Sequence, residues 1–137
     1  FWAGKGLLHL GLVHEAARRW GQAISAVASR PAKGWPVRLA ASVELTASAV
    51  VLGHLGAALN TAQGLWEADK TRPGALEALE NYVFALVANG KWTEAVRVAE
   101  ANMHQCTPSA REDGDHQAKE LLTKWLKIAE EGKAGTI

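Results

Sequence analysis

At 137 residues the chain is long enough for one domain with its own core, and its 48% hydrophobic content is that of an ordinary globular protein. Fifteen lysines and arginines against fourteen aspartates and glutamates leave a net charge of +1. That balance argues against duplex DNA or an anionic bilayer as partner, since both demand a basic face. Cys106 is the only cysteine, which excludes an intramolecular disulfide and favours a reducing compartment such as the cytoplasm.

The sequence begins at Phe1 and reads as a piece of a longer chain. Proline and glycine cut it into long, alanine-rich stretches at 31–36, 70–74 and 107–114, and these stretches favour helix by propensity. The first stretch predicts a helical hairpin over 3–29, with helices at 3–17 and 20–29 and a joint at Arg18-Arg19. Leu7, Leu10 and Val13 form its first apolar stripe. The second predicts a hairpin over 37–68, with helices at 37–52 and 54–68 joined at Gly53. Residues 45–66 carry no charge, but Gly53-His54, Asn60, Thr61, Gln63 and Gly64 sit among them, so two buried helices are expected there and no membrane span. The third predicts helices at 75–88 and 91–104, the first marked by Leu76, Leu79, Val83 and Leu86. Residues 115–131 predict a last amphipathic helix, with Leu122, Trp125, Leu126 and Ala129 on one face, followed by a short tail at 133–137.

A short phrase recurs at each expected joint. Trp20, Leu55 and Trp92 are each followed three residues on by an alanine (Ala23, Ala58, Ala95) and then by an aliphatic residue (Ile24, Leu59, Val96). The alanine sits where two antiparallel helices converge, and its small side chain lets their axes approach. A period of roughly 35 residues is the mark of a helical-hairpin array. With Leu79-x-x-Tyr82 and Gly90-Lys91-Trp92-x-x-Ala95 as the best match, the hairpins resemble tetratricopeptide repeats. Arg18 departs from the family pattern, standing where a turn glycine is expected.

The resemblance implies an all-α solenoid of about three antiparallel hairpins in one domain over 1–132, closed by a C-terminal capping helix. It also implies a protein-interaction scaffold, adaptor or chaperone-like module, not an enzyme, that holds a partner peptide or amphipathic helix in a concave groove. Carried over by position, that groove is lined by Leu8 and Leu12, with Lys5 and Glu15, then by Val43, Ala47 and Val50, and then by Glu80, Phe84 and Val87. Leu8 and Leu12 stand where the carboxylate-gripping subgroup of the family places lysine and asparagine, which rules that subtype out. On this reading Phe84→Glu removes partner binding and leaves the helices intact. The residues also permit burial of these faces inside the chain or against further repeats, and a homo-oligomer seam. Two other functions stay open: a pentatricopeptide-like RNA-binding array, and a helical spacer in a larger enzyme or coat-like assembly.

Chemistry-bearing motifs are sparse. His9 and His14 fall on different helix faces, and Ala3-Gly4-Lys5-Gly6 lacks the frame of a phosphate loop. His104, Cys106 and His116 flank a loop without paired-cysteine spacing, so no metal or cofactor is expected. Arg111-Glu112-Asp113-Gly114-Asp115 reads as surface charge. Trp66 and Trp125 fit the core, whereas Trp2 and Trp35 lie near breaks, where an aromatic can anchor a partner.

Overall fold

A computed structural model describes residues 2–30 and 34–135, with side chains from His9 onward. Its regular elements are six α-helices: α1 Trp2–Ser29, α2 Val37–Val51, α3 Leu55–Asp69, α4 Ala75–Ala88, α5 Trp92–Asn102 and α6 Glu112–Lys133. Among these helices none is long and apolar enough to cross a membrane. The expected bounds of α2 to α5 hold to within two residues. The expected last helix begins three residues early, where Glu112, Asp113 and Asp115 place negative charge on the positive end of the helix dipole.

Two of the three expected joints are built alike. Gly53 (φ 81°) and Gly90 (φ 70°) adopt the left-handed conformation that glycine reaches without steric cost. The following amides reach back to the same positions: His54 N donates to Ala49 O at 2.8 Å, and Lys91 N to Leu86 O at 2.9 Å. Both are helix-ending turns in which glycine reverses the chain and the orphan carbonyls find donors.

The third joint does not exist. Residues 3–29 are not a hairpin but part of one uninterrupted helix of 28 residues. Arg18 and Arg19 are good helix formers, no proline interrupts them, and no left-handed residue is found until Arg30. The one glycine at 18–21, Gly21, keeps a helical backbone and does not reverse the chain, which continues straight.

Consecutive helices pack on one another from α1 to α5, and α6 returns to cover both α4 and α5. Helix α4 also touches α2, so it is surrounded, and it is buried from Leu79 through Val87 without a break. The sequence also allowed α2 to be the helix buried all round. Instead Leu45 on α2 is 59% exposed, and Leu52 just past its end is 63% exposed. The alanines of the recurring phrase behave as their size predicts: Ala23, Ala58 and Ala95 are completely buried. Trp92 packs so closely on α6 that a Cβ at Gly132 would lie 2.5 Å from its indole ring.

Candidate functional site

The residues expected to line an open groove are buried within the chain. Leu12, Val43, Ala47, Val50, Glu80, Phe84 and Val87 all belong to the interior, while the side chain of Leu8 lies outside the described residues. That corrects the open apolar groove. The physical cause is the continuous α1, which lies along α2, together with α6, which closes on α4.

Phe84 is sandwiched between the two covering helices. The Arg19 guanidinium sits 4.1 Å from the Phe84 ring centroid, and the Trp125 ring lies 5.4 Å away at 45°. Arg19 and Trp125 converge on the same oxygen: Arg19 Nη2 donates to Glu80 Oε2, and Trp125 Nε1 donates to it at 2.7 Å. Arg19 Nε donates to Glu15 as well, at 3.2 Å. A buried carboxylate needs a countercharge and hydrogen bonds, and this one has both. Glu80 is thus a packing residue that ties α1, α4 and α6 together. Trp125 and Trp66 are in the core as expected, and the side chain of Trp2 is outside the described residues.

What stays open is a cleft of about 840 Å³ between α1 and α6, floored by Val43, Glu77 and Glu80. One wall is the small and polar face of α1 at Gly21, Gln22, Ser25 and Ser29; the other is α6 at Gly114, Gln117, Ala118 and Leu121. Trp35 and Arg111 also line it. Of the expected groove residues whose side chains are described, Val43 and Glu80 reach this space.

Glu77 is the distinctive group here. Its side chain is only 11% exposed, and Arg111 Nη1 donates to its Oε2 at 2.6 Å. Burial pushes its pKa up from 4.5 to about 7; Arg111 opposes that rise, and Asp115, Glu80 and Asp113 add to it. Gly114 lets the first turn of α6 approach, since a Cβ there would stand 2.8 Å from Glu77 Oε1. Arg111 is held in turn over the Trp35 ring, 4.6 Å from its centroid. Both Arg111 Nε and Trp35 Nε1 are buried without a hydrogen-bond partner among the described residues.

The 111–115 segment is therefore not simply surface charge. Arg111 is 14% exposed, Gly114 is buried, and Asp115 accepts from Ser109 N at 2.9 Å and Ser109 Oγ at 3.0 Å. The one sequence signal for this site was a pair of acids, Glu77 and Glu80, one turn apart on the most apolar helix. Arg111 could not be assigned to them, because it is 34 positions from Glu77.

Other reactive groups offer little chemistry. Burial raises the pKa of Cys106, which disfavours its nucleophilic thiolate, and its Sγ donates to Asn102 O at 3.3 Å. Among the described residues no group of three or more His, Cys, Asp or Glu side chains is placed to hold a metal ion. No protein-family model, curated protein or solved structure matches this chain.

Proposed function

We propose that this chain is a protein-interaction module of tetratricopeptide-like character, without a reaction of its own, that seats a segment of a partner protein in the cleft between α1 and α6. The cleft carries the reading. Its volume is in the range of binding sites, its α1 wall is an exposed helix face, and two of its three floor residues, Glu77 and Glu80, belong to the most deeply buried helix. A rigid floor with accessible walls supports binding without ordering the site first. The matched turns at Gly53 and Gly90 support the repeat character, with α2–α3 and α4–α5 as the hairpins, α6 as the cap and α1 as a flanking helix.

Selection of a random peptide library on the protein tests this. Ser25 is exposed on the α1 wall, so Ser25→Trp fills the cleft with little effect on the core. Peptides should be retained by the wild type and lost from Ser25→Trp. If no peptide shows that difference, the cleft is not a docking site.

A further inference from the structure

We infer that the docked segment sends one acidic side chain, aspartate or glutamate, into the corner of the cleft where Trp35 and Arg111 meet, and that both residues donate to its carboxylate. This rests on the cleft being the docking site proposed above, and it names the chemistry the partner brings.

Two unsatisfied donors carry the argument. Trp35 Nε1 and Arg111 Nε are each buried with no acceptor among the described residues, and both side chains line the cleft. Buried donors in folded proteins are nearly always paired, because a lost bond to water must be replaced. The two groups are neighbours, with the Arg111 guanidinium carbon 4.6 Å from the Trp35 ring centroid. Arg111 Nη1 is spent on Glu77 Oε2 at 2.6 Å, and Nε is left over.

Two adjacent donors call for an acceptor with two oxygens. A carboxylate has both, and it meets a guanidinium through a charge-assisted bond. A carboxamide has one oxygen and would set its own N–H groups against a donor, while a lysine or arginine brings donors alone. The charges of the cleft agree. Arg18 and Arg19 are matched by Glu15 and Glu80. Arg111 is matched by Glu77, but burial keeps a proton on Glu77 up to about pH 7, and below that pH the guanidinium is not neutralised by it. Asp113, Asp115 and Glu80 also act on Glu77; the two aspartates do not line the cleft, and Asp115 is held by Ser109.

The shape of the cleft makes a side chain the carrier. Its α1 wall extends from Ala17 to Ser29, about 18 Å at the helical rise, so the occupant is a length of chain lying along small residues. Such a chain reaches the corner with a side chain. Trp35 is half-buried on the turn between Gly34 and Pro36, and its ring turns outward to give the entering carboxylate both donors.

The test selects C-terminally amidated peptides on the intact protein, so that side chains supply the only carboxylates. Peptides retained by the wild type and lost from Ser25→Trp should be enriched in aspartate or glutamate at one position. Changing that residue to its amide should weaken binding to the unmodified protein by about tenfold or more. Trp35→Phe keeps an aromatic face beneath Arg111 but removes the N–H, and should narrow that difference to about threefold. The Trp35 indole proton, assigned by its loss in Trp35→Phe, should move downfield in the NMR spectrum with the acidic peptide and stay in place with the amide. Retained peptides without acidic enrichment, amides that bind equally well, or an indole proton that does not move overturn this inference and leave the docking site standing. If no peptide distinguishes the wild type from Ser25→Trp, the docking site itself fails and the inference falls with it.

Discussion

Glu77 and Glu80 sit one turn apart on α4 and meet different fates. Glu80 is saturated by Arg19 and Trp125, whereas Glu77 has one cation and an open oxygen. The difference has a consequence for stability. In the fold Glu77 keeps its proton up to about pH 7, while in the unfolded chain it releases it near 4.5. Between those values the folded protein binds more protons, so the stability Glu77 contributes is fully present below about 4.5 and is lost as pH rises through about 7. The shift corresponds to roughly 3–4 kcal/mol. Thermal melts should therefore show falling stability between pH 5 and 8, and Glu77→Gln should flatten that slope. An unchanged slope in the variant would mean that Glu77 titrates normally.

The helices themselves were largely legible, and the reason is local. Apolar residues at helical spacing give α4 and α6, and glycines past the last apolar residue end α2 and α4. The recurring phrase located two real turns and one that does not form. What distinguishes them is the residue two positions before the aromatic or leucine: Gly53 and Gly90 can reverse the chain, and Arg18 cannot at comparable cost. A paired substitution checks this by stability measurement. Gly21 lies inside α1 with open space around its Cα, so Gly21→Ala should stabilise by about 0.5–1 kcal/mol through reduced freedom of the unfolded chain. Gly90→Ala should destabilise by about 1–2 kcal/mol, because alanine strains at positive φ. If Gly21→Ala destabilises instead, the chain bends at 18–21 after all.

At the scale of the whole molecule, α4 is the helix on which α2, α3, α5 and α6 all pack. Phe84 is fully buried on it, so Phe84→Ala should cost about 3–5 kcal/mol, a large part of the roughly 5–15 kcal/mol that holds a domain folded. Phe84→Glu should abolish cooperative unfolding, since a carboxylate there would be buried against the Trp125 ring and compete with Glu80 for Arg19. A well-folded Phe84→Glu protein would restore the open groove. The sequence by itself determined the helical class, most helix bounds and the alanines at close approaches, because periodicity, propensity and turn chemistry act over a few residues. It could not determine that α6 closes on α4 while α1 lies along α2 and reaches α4 through Arg19, or that a cleft remains between α1 and α6. Those facts depend on Arg19 meeting Glu80 across 61 positions and Trp125 meeting it across 45. No local period encodes such meetings; they follow from how whole helices pack, and packing placed Glu77 in the cleft and Phe84 beneath its neighbours.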